Sequence, residues 1–233
     1  MPRRTSRSVP PARPSKSLSR HLATAGRVRA PQVRYNKQLR DRQPNAQLPF
    51  TPPEDWHEPT EGGHGYRFVV QPPGDGFRHV LTPAEIRARL AQVPPHFLDG
   101  LEVVHLGRMT RKKQSFPCYG MQWGATIYLY PIEESLSEYY RQPPRPAERI
   151  EAEMHGGRWI QQGKSWQLVW TEDAICDFYL NNILLHELAH LIDDRNTSYA
   201  ARERYAEAFA IRHGYLPSRR QRKRKVVRRH HAV

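Results

Sequence analysis

Residues 171–192 read Thr-Glu-Asp-Ala-Ile-Cys-Asp-Phe-Tyr-Leu-Asn-Asn-Ile-Leu-Leu-His-Glu-Leu-Ala-His-Leu-Ile, and the rest of the chain is read outward from them. Thr171 is a capping residue, and Glu172 and Asp173 place negative charge in the first turn, where the helix dipole favours it. From Ala174 to Ile192 the stretch is apolar nearly all round, which marks a buried helix rather than a surface one. The polar interruptions are few, and three of them, Asn182, His186 and His190, fall on one face. His186 and His190 stand one turn apart, with Glu187 between them. Neutral imidazoles so placed can hold one Zn²⁺, and the intervening glutamate can act as a general base on water at the metal. Burying two histidines and a carboxylate in an apolar helix is costly unless something pairs with them, and a metal does so.

The helix that follows, about Ala200 to His213, has Gly214 where a C-terminal cap is expected. It carries Glu203 and Glu207, which are i and i+4 and can both face the metal helix. Catalytic zinc takes three protein ligands and keeps one position open. By spacing, either glutamate can be the third ligand, with the other hydrogen-bonding a ligand histidine and fixing its tautomer.

The chain upstream supplies a sheet. Gly65–Val70, Leu101–Leu106, Tyr119–Trp123 and Ala125–Tyr130 read as strands, and residues 158–161 and 165–170 as a hairpin about Gly163-Lys164. Thr82-Pro83-Ala84-Glu85 opens a helix with a capping box and runs to about Gln92, where Pro94-Pro95 end it. A short helix is expected over Ile150–His155. The fold class is therefore α+β: a small mixed sheet packed on the buried metal helix, then a second, glutamate-bearing helix.

Net charge is +14 over 233 residues, but it is concentrated at the ends. Residues 1–42 carry twelve Lys/Arg against Asp41 alone, and 219–229 carry eight with no acid. Between them, 43–218 is mildly acidic, with 17 basic and 22 acidic residues. Residues 1–50 are rich in Arg, Pro and Ser with little to bury, so they read as a disordered basic tail. Residues 51–61 read as a linker, 62–216 as the folded domain and 217–233 as a second basic tail. The tails suit nucleic acid or another polyanion. A rival reading is thus a nucleic-acid-binding or regulatory protein whose metallo-domain is structural or inactive. Salt-dependent binding that disappears on deleting 1–45 and 217–233 would favour that rival. Cys118 and Cys176 make no disulfide framework and read as reduced packing residues, as in a reducing compartment. No apolar run approaches the roughly 20 residues of a transmembrane helix, and no secretory signal is recognisable, so a cytoplasmic location is expected.

The motif and its downstream glutamate resemble the gluzincin metallopeptidases. A closer likeness is to the anthrax lethal factor-like catalytic domain. There the zinc motif is followed by two aspartates, as in Leu191-Ile192-Asp193-Asp194. A Thr-Ser-Tyr segment matches Thr197-Ser198-Tyr199, and a Glu-x-x-Ala-Glu-Ala-Phe helix matches Glu203 to Phe209. The small repressor-cleaving peptidases of mobile elements have a similar glutamate helix. The resemblance covers about 186–210 at motif level and 81–214 loosely. It implies a zinc peptidase acting on peptide or protein substrates, with His186, His190 and Glu203 as ligands, Glu207 as their hydrogen-bonding support and Glu187 as base. It also implies Tyr199 as a transition-state stabiliser, although that tyrosine lies four residues before the ligand glutamate here and seven in the relatives. Finally, it implies substrate pairing along an edge strand at Ala125–Tyr130, through Ala125, Ile127 and Leu129. Asp193 or Asp194, at a helix C-terminus, calls for a local partner such as Arg195 or Arg202.

Overall fold

The structure is a computed structural model, and it describes residues 53–59, 65–111, 113 and 118–222. The expected N-terminal basic tail, at 1–50, lies outside the described residues.

Four strands form the main sheet in the order β1 (Arg67–Val70), β3 (Val103–Leu106), β5 (Thr126–Leu129), β4 (Gly120–Trp123). β1, β3 and β5 are parallel, and β4 runs antiparallel to β5 as the other arm of a tight hairpin. Every residue of β3 and β5 is buried, as is usual for strands covered on both faces. β2 (Phe77–Arg78) pairs with β6 (Ile132–Glu133). A separate antiparallel sheet has the order β7 (Ser137–Tyr140), β9 (Ser165–Val169), β8 (Arg158–Gln162), and its β8–β9 arm is the hairpin read from the sequence.

Helix α1 (Pro83–Leu90) starts as expected: Thr82 accepts from the Glu85 amide and Glu85 from the Thr82 amide. α2 (Pro146–Met154) begins four residues earlier than its apolar pattern suggested, with Pro146 in the first turn. The helix that carries His186 and His190, α3, is continuous from Glu172–Phe178 through Leu184–Ile192, but its middle, Tyr179–Ile183, is a π-helical turn. Its partner α4 begins at Tyr199–Ala210 with Ser198 as cap and has its own π turn at Ile211–Tyr215.

Two expectations are corrected here. Gly214 does not close α4: the helix continues through residues 216–222, so the boundary drawn at 216 falls inside it. The reason is tertiary. A Cβ on Gly214 would lie 2.0 Å from the Asn181 carbonyl oxygen, so glycine lets α4 meet the π turn of α3 backbone to side chain-free backbone. The added turns are held by Arg219 and Arg222, whose guanidiniums reach the buried Asp177 of α3 at 2.7 and 3.1 Å. His155 completes that cluster at 2.8 Å. Burial works against the Asp177 carboxylate, but the His155 hydrogen bond and the two arginine charges outweigh it and lower its pKa.

The second correction concerns the linker. Residues 53–59 lie on the sheet face opposite α3, where Tyr128 donates to the Asp55 carbonyl at 3.1 Å and His57 Nε2 meets His105 Nδ1 at 2.9 Å. The main core fills the other face: Val104, Leu106, Ile127 and Leu129 pack with Ile86 and Leu90 of α1 and with Ile175, Leu184, Leu185 and Leu188 of α3. Among the described residues, no helix is long and apolar enough to cross a membrane.

Candidate metal centre

α3 and α4 run antiparallel, and their facing sides bring together His186, His190 and Glu203. The two histidine Nε2 atoms are 3.1 Å apart. Glu203 Oε2 lies 3.5 Å from His186 Nε2, and its Oε1 lies 3.3 Å from His190 Nε2. Ligand atoms placed 2.0–2.1 Å from one tetrahedral zinc are about 3.3 Å from each other. The Nε2–Nε2 distance and the nearest approach of a Glu203 oxygen to each histidine are of that size, although the two approaches use different oxygens of the carboxylate. One ligand atom from each residue lies within 4.8 Å of the others, and the group can hold a metal ion. Two histidines and one carboxylate leave a fourth position open, the arrangement of hydrolytic rather than structural sites. Burial alone would raise the Glu203 carboxyl, but hydrogen bonds and charge from His186 and His190 outweigh it and hold it far below the ordinary carboxylate range.

Glu187 is buried on the same helix and faces β4. There the backbone comes unusually close: a Cβ on Gly120 would lie 3.1 Å from Glu187 Cγ and 2.7 Å from an Ile183 methyl. Sequence reading passed over Gly120, although a glycine inside a strand is a signal of close approach. β4 is also anchored just before Gly120, where Tyr119 donates to both oxygens of the half-buried Glu138 at 2.7–2.8 Å. The Cys118 thiol lies nearby. Burial first, and then the Glu187 charge, push it up to about 12.

The remaining expectations divide. Tyr199 is the first residue of α4, half-buried and one turn before Glu203 on the same face. Arg202 is the partner at the end of α3: it donates to the His190 carbonyl at 2.9 Å and lies 4.0 Å from Asp193. Arg195 instead stacks over Tyr205. Glu207 is exposed, and no hydrogen bond or ion pair joins it to His186 or His190; it faces a cavity one turn away. The edge-strand expectation is corrected. Ala125, Ile127 and Leu129 belong to the β5 segment, which is interior between β3 and β4. The strand at that edge is β4, because the hairpin folds it back over the outer side of β5.

Comparison with known proteins found no family model, no curated protein and no solved structure that matches the chain.

Proposed function

We propose that the protein is a zinc-dependent peptidase. The observation that carries this reading is the convergence of His186 Nε2, His190 Nε2 and a Glu203 oxygen within 4.8 Å, with Glu187 buried in the turn between the histidines. The metal, when bound, supplies positive charge that polarises a carbonyl and lowers the pKa of water towards about 7. Glu187 takes the proton of the attacking water and returns it to the leaving amine. General acid–base work of this kind contributes about 10²–10⁴-fold. Glu203 balances charge at the centre, and Arg202 ties its helix to the His190 carbonyl, so that the three ligand side chains keep their spacing. β4, the edge strand of the sheet among the described residues, offers an extended substrate a pairing side directly against Glu187.

The test is metal analysis beside peptide hydrolysis. Wild type should hold one zinc per chain and cut a random peptide mixture. His186→Ala and Glu203→Ala should lose the metal, Glu207→Ala should keep it, and Glu187→Gln should keep it while losing hydrolysis. Wild type without stoichiometric zinc, or a Glu187→Gln variant that still hydrolyses, would overturn the reading.

A further inference from the structure

One turn along both helices from the metal trio lies an open cavity of about 300 Å³. Three facts converge on it. First, both π turns line it. Asn181 and Asn182 come from the π turn of α3, and Ile211 and Tyr215 from the π turn of α4. Such single wide turns are uncommon in α-helices and gather at functional sites. Second, its rim holds two of the large apolar side chains that the fold leaves exposed, Ile150 at 58% and Ile211 at 43%. Met154 extends this apolar wall. Third, two carboxylates stand among its polar groups, while the His155 and Asn181 side chains on the same wall are taken up by Asp177 at 2.8 and 2.9 Å. Glu151 receives the Asn182 amide at 2.6 Å, while the Glu207 carboxylate is paired with no side chain among the described residues.

A small cavity with apolar walls and carboxylates suits a long aliphatic stem ending in positive charge. It does not suit an anion, and it has too little room for a large cofactor. We propose that this cavity is a specificity pocket for one lysine or arginine side chain of the substrate, with Glu207 meeting the cationic head. The ligand's identity as part of a peptide substrate rests on the peptidase reading; the pocket's preference for a cation does not. Position supports the assignment. Asn182 is one turn before His186 and Glu207 one turn after Glu203, so the pocket lies about 5.4 Å along each helix from the residue proposed as its metal ligand, within the roughly 6.6 Å span of two residues of extended peptide.

N-Acetyl-arginine amide, N-acetyl-lysine amide and the neutral N-acetyl-norleucine amide are titrated into the full-length protein, and the backbone amides of Ala210 and Ile211 are followed by NMR. Both cationic probes should shift these amides saturably, and norleucine should bind at least about tenfold more weakly, as expected for loss of a hydrogen bond to a charged group. Glu207→Gln should cost a similar factor. Ala147→Trp, at an exposed lining position, should block every probe by filling the cavity; the unperturbed remainder of the spectrum shows that either variant is folded. Equal binding of norleucine, or no shift with any probe, overturns the proposal. In a second arm, zinc-loaded wild type is given a random peptide library, and Lys or Arg should be enriched at one fixed position from the cut. Glu207→Lys should move that preference to Asp or Glu. Cleavage without a basic preference removes the pocket and leaves the peptidase standing. Probe binding without any cleavage removes the peptidase and leaves the pocket.

Discussion

Replacing Gly214 by alanine tests how α3 and α4 are held together. In an open helix interior the change should stabilise by about 1 kcal/mol, because alanine is the better helix former. Here the new Cβ would sit 2.0 Å from the Asn181 carbonyl oxygen, 2.8 Å from its carbon and 3.0 Å from a Leu185 methyl. Even close C···O contacts stop at about 3.3 Å, so the two helices must part by roughly 1 Å. The obstacle is backbone, which cannot rotate away as a side chain can. Overpacking of this kind costs about 1–3 kcal/mol, and more where backbone must move. With a backbone obstacle the cost falls at the top of that range, so after the propensity gain a net loss of about 2 kcal/mol remains. For a domain of this size that lowers Tm by about 4–8 °C.

Thermal unfolding followed by circular dichroism reads this directly. Zinc titration gives a second readout, because parting α3 from α4 also draws Glu203 away from His186 and His190, and affinity should fall by at least about tenfold. Gly214→Asn separates the packing explanation from a capping one. Asparagine is accepted at a left-handed helix cap, but its larger side chain should be worse than alanine at a helix crossing. An alanine variant that melts at or above the wild-type temperature, or an asparagine variant milder than alanine, would refute the reasoning.

Two further outcomes follow from buried ionisable groups. Burial, followed by the neighbouring His57 charge, pulls His105 down to about 4. The unfolded chain therefore binds the extra proton first, and the stabilising contribution is present above about pH 6.5 and lost as pH falls towards 4; the full drop is worth about 3 kcal/mol, and about 2 after screening beneath the thin 53–59 segment. Denaturant midpoints should fall across that window in wild type and much less in His105→Phe; equal slopes would exclude His105 as the source. Asp177→Ala strands His155 and Arg219, so it should cost about 3–5 kcal/mol in thermal unfolding, while Arg222→Ala, at an exposed position, should cost less than about 1. An Asp177 variant within 1 kcal/mol of wild type would show that the cluster does not hold the end of α4.

What the sequence revealed, and what it hid, follows from the range over which each signal acts. The buried helix α3 was legible because its apolar residues leave no polar face except the one that carries Asn182, His186 and His190. The capping box at Thr82 and the hairpin at Gly163 were legible because their chemistry is complete within a few residues. Gly214 was not, since a glycine that ends a helix and one that permits a helix crossing look alike until Asn181 is seen opposite. The interior place of β5 was in principle readable: Ala-Thr-Ile-Tyr-Leu-Tyr has no polar alternation, the mark of a strand covered on both faces. The edge assignment came from the resemblance and overrode that mark. The same contrast decides between Glu203 and Glu207. Spacing alone puts both on the α3 side of α4. Because the helices are antiparallel, however, a step of one turn up α4 is a step of one turn down α3. The carboxylate opposite His186 and His190 is then Glu203, and Glu207 falls opposite Asn182, about 5.4 Å further on and beyond hydrogen-bond reach of the histidines. Two glutamates that spacing makes equivalent are thus separated by helix direction, one towards His186 and His190 and the other towards the cavity beside them.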